Sequence, residues 1–194
     1  MTNREVEQAA TAVYAKYVPK GNSYKQLENI ISAEGVKFRN VPVSNVGFVG
    51  ALTCGNNGQY YIIVNQEISS SGRRNFTIAH ELGHYFLEHQ LLSNYFYCFE
   101  KDIAEETQAS SGIEREANHF ASCFLMPEEK VKSAFLAMLK RSKNARNKSY
   151  LYVKKDYTFG IWRGICDELI KRYGVSEEAL RYRLRYLSLA HFDF

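Results

Sequence analysis

Residues 80 to 84 read His-Glu-Leu-Gly-His. On a helix, positions i and i+4 lie about 40° apart. His80 and His84 then project from one face, one turn apart, and two imidazole nitrogens can meet a single metal ion. Glu81 lies about 60° round from His84. That is a poor position for a third ligand on the same ion. It is a good one for reaching water in an open fourth position, as a general base must. The competing interpretation is a core helix with two structural histidines. Gly83 speaks weakly against it, because Gly inside a helix costs about 1 kcal/mol relative to Ala. A close backbone approach is one reason to accept that cost.

The His-Glu-x-x-His spacing is that of zinc peptidase helices, and a tetrahedral catalytic zinc needs a third protein ligand. One extension of the motif would require Gly and His where this chain has Leu87 and Gln90. His89 falls one residue short, on another side of the helix, and reads as structural or half-exposed. The other source is an acid on a later helix, and residues 113 to 126 supply two. Ile113, Ala117, Phe120, Ala121, Phe124 and Leu125 define a buried stripe. Glu114 lies about 60° from its centre and Glu116 about 100°. The inward position favours Glu114 as ligand. Glu116 is the runner-up, read as part of the solvated face. Asn118, one turn after Glu114, can hold a ligating imidazole by a hydrogen bond from behind.

The elements that position these residues follow from patterning. Residues 4 to 17 read as a helix, and a short one covers 24 to 33. From Val36 to Val64, β-branched and aromatic runs are cut by Gly and Asn, with Cys54-Gly-Asn-Asn-Gly58 as a turn. They predict a small, mainly antiparallel sheet, with Tyr60 to Val64 as the strand before the His-Glu-x-x-His helix. From about Asn75 onward the chain reads as helical. Pro127 stands at a helix start with Glu128 and Glu129 in the first turn, and helices follow near 161 to 172 and 177 to 188. The expected fold class is α+β, one domain over 1–194, with a core at about 24–141 and a helical appendage at about 160–190.

The stretch from Arg74 through His84, followed by Glu114-Arg-Glu-Ala-Asn-His-Phe-Ala121 and Phe124-Leu-Met-Pro127, resembles the ImmA/IrrE family of metallo-endopeptidases. The resemblance implies a zincin-like peptidase fold in a cytoplasmic setting. It also implies zinc held by His80, His84 and the Glu of the second motif, with Glu81 as base. It implies a protein substrate, a helix-turn-helix transcriptional repressor whose cleavage relieves repression.

Composition is compatible with this and with little else of note. Hydrophobic residues make up 45% and charged residues 24% of the 194, ordinary globular values that argue against disorder. A net charge of +4 is too small to require a nucleic-acid partner. The longest charge-free stretch, Asn40 to Gln66, is broken by Asn, Gly, Pro and Ser and is no membrane span. No signal peptide is evident, and the four widely spaced cysteines form no Cys-x-x-Cys, so cytoplasmic free thiols are expected.

A rival reading rests on residues 140–188. Lys140 to Lys155 hold seven Lys and Arg and no acid, interleaved with Tyr150 and Tyr152, and read as a solvated loop or a docking site. Residues 161–187 have a helix-turn-helix pattern. Ser176 serves as N-cap, Val175 and Leu180 as a hydrophobic staple, and Arg181 and Arg185 face outward. In this reading the protein is a regulatory binder of DNA or of a partner, with a structural or vestigial zinc site. Tyr95-Phe-Tyr-Cys-Phe99 can line a cleft or fill the core, and is read as core.

Overall fold

A computed structural model describes residues 1–44, 47–89, 95–99 and 112–193. Helix α1 (Asn3–Tyr17) opens with a capping box, in which Thr2 and Glu5 satisfy each other's backbone amides. A 3-10 turn (Ser23–Gln26) leads into α2 (Leu27–Ala33). The strands β1 (Lys37–Val41), β2 (Phe48–Cys54) and β3 (Tyr60–Asn65) follow. Helix α3 (Ser71–Phe86) carries the His-Glu-x-x-His motif. Then come β4 (Tyr95–Phe99), α4 (Gly112–Leu125) and α5 (Glu128–Arg141). The chain ends with β5 (Leu151–Val153), α6 (Tyr157–Tyr173), α7 (Glu177–Tyr186) and β6 (Ala190–Phe192).

This is the expected α+β class. The main sheet runs in the order β1-β3-β2-β4. Pairings β2–β3 and β2–β4 are antiparallel and β1–β3 is parallel, so the sheet is mixed but mainly antiparallel. The Cys54–Gly58 segment turns as expected, with the Gly55 amide donating to Gln59 O and Gly58 at φ 75°, a conformation that suits glycine.

Three strands lie in the stretch expected to be helical. The aromatic run at 95–99 is β4, the edge strand of the sheet among the described residues. Its alternation splits the run, with Cys98 buried and Tyr97 exposed. Tyr97 and Phe99 join Val41, Val43, Phe48 and Ile63 around an apolar groove of about 500 Å³. The other two, β5 and β6, pair in parallel. The basic segment is therefore only partly a solvated loop, since Leu151 and Val153 are buried.

One sheet face packs on the helices. Leu52, Ile62 and Val64 share a core with Ile78, Ala79 and Leu82 of α3 and with Phe120, Ala121 and Phe124 of α4. Buried residues of the last two helices, including Trp162, Leu169, Leu180 and Leu184, belong to the same cluster.

Two contacts join the C-terminal hairpin to the start of α3. The Asn75 amide donates to Gly174 O at 2.8 Å. A Cβ on Gly72 would fall 2.4 Å from the Val175 backbone. The helix-turn-helix signals take the local form expected: Ser176 Oγ accepts from Ala179 N, and Val175 and Leu180 are buried. Arg181 and Arg185, however, lie over the Phe192 ring at 4.6 and 5.5 Å. Arg183, between them, is buried. It donates to Met126 O and the Cys123 thiol and pairs with Glu7 at 2.9 Å.

Candidate metal centre

Helix α3 starts where Ser70 Oγ accepts from Arg73 N and lies across the sheet with residues 76–84 buried. Its closest neighbour is α4. A Cβ on Gly83 would sit 3.1 Å from Ala117 O and 3.2 Å from Ala117 Cα. The glycine therefore lets two helix backbones approach where any side chain would hold them apart, which is the close approach its helix cost suggested.

That approach brings Glu114 and Asn118 of α4 over the two histidines. His80 Nε2 lies 3.1 Å from Glu114 Oε2 and 3.0 Å from His84 Nε2, and His84 Nε2 lies 3.4 Å from Glu114 Oε1. A tetrahedral zinc bound at about 2.0–2.1 Å has ligand atoms about 3.3 Å apart, so the three donors are spaced to fit one ion. Protonation fits directly for two of the three. Burial lowers His84 to about 4, leaving a neutral imidazole. Burial would raise Glu114, but its hydrogen bonds to His80 and His84 prevail and hold it well below the usual carboxylate range. His84 and Glu114 are thus already in the forms a metal needs, whereas His80, which burial lowers but Cys98, Glu114 and Glu81 together raise well above the usual histidine range, must give up a proton to bind one.

Behind this cluster, His80 Nδ1 lies 2.9 Å from Asn118 Oδ1. An amide oxygen only accepts, so Nδ1–H donates to it, which leaves Nε2 as the nitrogen that meets a metal once its own proton is lost. Glu81 is fully buried beside His80, and neither carboxylate oxygen has a hydrogen-bond partner of normal geometry among the described residues. Burial raises its pKa to about 8, with His80 pulling it down. It lies beneath β2, where a Cβ on Gly50 would fall 3.0 Å from Glu81 Oε1. An orphaned buried carboxyl beside three converging donors is costly in a purely structural site and suits a group that works on water or substrate.

His89 takes the structural one of its two readings, with partners that its helix phase does not give, and Glu116 departs from the solvated face. Helix α3 ends at Phe86, and the chain turns back at Glu88 with φ 59°. His89 is thereby buried behind the motif, with its Nδ1 2.9 Å from His84 Nδ1 and its Nε2 3.1 Å from Glu116 Oε2. Glu116 is outside the cluster of ligand atoms, as its helix phase indicates. It anchors His89 and the terminal amine of Met1 and is not merely solvated. Cys98 was also missed. One ligand atom from each of His80, Cys98 and Glu114 lies within 4.8 Å of the others.

Fold and site together define a metallopeptidase-like chain of the α+β, zincin-like kind. The family model for Peptidase M78, the IrrE N-terminal-like domain, matches residues 36–185, and the chain belongs to that family. No curated protein sequence matches it. Among solved structures it is similar to a Mycobacterium tuberculosis transcriptional regulator, with a TM-score of 0.56 and 18% identity. That similarity covers 93% of this chain and 46% of the other, so this chain spans about half the regulator's length. At that identity the likeness speaks for the fold alone. Among the described residues no helix is long and apolar enough to cross a membrane.

Proposed function

We propose that this chain is a zinc-dependent endopeptidase of the cytoplasm, with a DNA-binding transcriptional repressor as its substrate. The observation that carries the hydrolytic reading is the convergence of His80 Nε2, His84 Nε2 and the Glu114 carboxylate beside the buried carboxyl of Glu81, which has no partner of normal hydrogen-bond geometry among the described residues. His80, His84 and Glu114 would hold the ion, and Asn118 would orient His80. Zinc, when bound, supplies Lewis-acid polarisation of a peptide carbonyl and of nearby water. Glu81 takes the proton from the attacking water and returns it to the leaving amine. The edge strand β4 offers an extended substrate a partner for strand addition beside the site.

The repressor as substrate rests on the family resemblance. The docking of Arg181 and Arg185 against Phe192 weakens the rival reading, in which α7 reads DNA. The test is coexpression with the repressor encoded next to this gene, as wild type and as Glu81→Gln. Wild type should shorten the repressor. Glu81→Gln should keep zinc and fold but lose about a hundredfold to ten-thousandfold in rate. Release of repression by both proteins without cleavage would replace the peptidase reading with the regulatory binding one.

A further inference from the structure

Among the described residues, two groups of His, Cys and Glu have ligand atoms that cluster, Glu7–His119–Cys123 and His80–Cys98–Glu114. In the first, the Arg183 guanidinium already supplies the positive charge, donating to Cys123 and Glu7. That group is a buried ion-pair network. In the second, Glu114 meets the two imidazoles described above, and the thiol of Cys98 lies with His80 and Glu114 on the sheet side.

The placement of Cys98 follows from strand register. Cys98 on β4 is the cross-strand partner of Gly50 on β2, and paired residues share a sheet face. Gly50 faces α3, because a Cβ there would meet Thr77 and Glu81. Cys98 is therefore aimed at the same helix and is 1% exposed. Gly50 itself adds no side chain, so nothing at that position separates the thiol from the metal donors.

We propose that Cys98 is a fourth ligand to the metal, so that the resting site is closed by His80, His84, Glu114 and a thiolate. This rests on the zinc reading above and adds a regulatory state to it. Four protein ligands make a structural site, whereas a catalytic one keeps a position open. On metal binding the thiol proton leaves to solvent and sulfur takes its place on the ion. The strand that would receive an extended substrate is also the strand that carries the blocking ligand.

Cobalt(II) substitution of the full chain tests this, because thiolate ligation gives a near-ultraviolet charge-transfer band that nitrogen and oxygen ligands lack. Wild type should bind one cobalt per chain and show the band. Cys98→Ala should keep the visible cobalt bands, lose the charge-transfer band, and bind the ion at least tenfold more weakly. That is the low end of what losing even an outer-shell partner brings. Cys98→Ser serves if the alanine variant does not fold. One cobalt per chain without the band, or a band unchanged in Cys98→Ala, overturns the proposal and leaves the zinc reading standing. If wild type binds no more cobalt than His80→Ala, both fall together.

Discussion

His84 Nδ1 lies 2.9 Å from Nδ1 of His89, two imidazoles meeting by the same atom. Only one of the two can carry the proton. If His84 Nε2 faces the metal, His84 donates through Nδ1–H and His89 accepts. His89 Nε2–H then donates to Glu116. The chain Glu116–His89–His84 fixes the tautomer of a ligand from behind. His89→Ala should loosen metal binding about tenfold to a hundredfold without unfolding the protein. Titration against a chromophoric chelator measures this, and unchanged affinity would remove His89 from the metal's support.

The two carboxylates of α4 should separate cleanly. Glu114→Gln removes a donor that touches both imidazoles, and the loss of metal should approach that of His80→Ala. Glu116→Gln disturbs only the partner of His89, so its effect should stay within about a hundredfold. Metal content after dialysis against a weak chelator ranks the variants. A Glu116→Gln protein that is stripped while Glu114→Gln stays loaded would exchange their roles.

Gly83→Ala pits two effects against each other. Helix propensity should gain about 1 kcal/mol. Against that, the new methyl falls 3.1–3.2 Å from backbone atoms of Ala117, which can yield only if α4 moves. Overpacking of this kind costs about 1–3 kcal/mol, so the net should be loss of stability, together with weaker metal binding as Glu114 is carried outward. Denaturant unfolding of the metal-free and zinc-loaded forms reads both terms, and a stabilised variant with intact affinity would show that the helices are less tightly coupled.

Glu7→Gln should destabilise the chain although Glu7 is no member of the donor cluster. Arg183 is buried and Glu7 is its carboxylate partner across 176 residues of sequence. Removing one partner of a buried pair costs about 3–5 kcal/mol. The figure should be near the low end, because Glu7 is itself 24% exposed at the side chain. A shift in urea midpoint without a change in slope would report it. No shift would mean that Met126 O and Cys123 suffice for the guanidinium.

The donor cluster could be read from sequence where its geometry is helical. His80, Glu81 and His84 are fixed by a four-residue repeat, and Glu114, Glu116 and Asn118 by the phase of an apolar stripe. Both are local properties of one helix. His89 escaped because its position depends on a helix end and a left-handed residue at Glu88, past which phase means nothing. Cys98 escaped because only the pairing of β4 with β2 brings it beside Gly50, and pairing is long-range. The aromatic and alternating character of 95–99 was a usable strand signal, overridden by the helical reading of its surroundings. The order β1-β3-β2-β4 leaves no local trace, since β1 passes over its sequence neighbour to pair with β3.

The turn at 174–176 presses on Gly72 and accepts a hydrogen bond from Asn75, so the last two helices brace the first turns of the helix that bears the histidines. Hydrolysis and partner binding therefore cannot be assigned by cutting the chain. A protein shortened before α6 would lose that brace, along with the Arg183 contacts at the end of α4, and with them the support of the donor cluster, whatever the basic segment does. Only exchange of exposed side chains such as Tyr150 and Tyr152, in a chain of full length, tests for binding by the tail apart from what it holds upright.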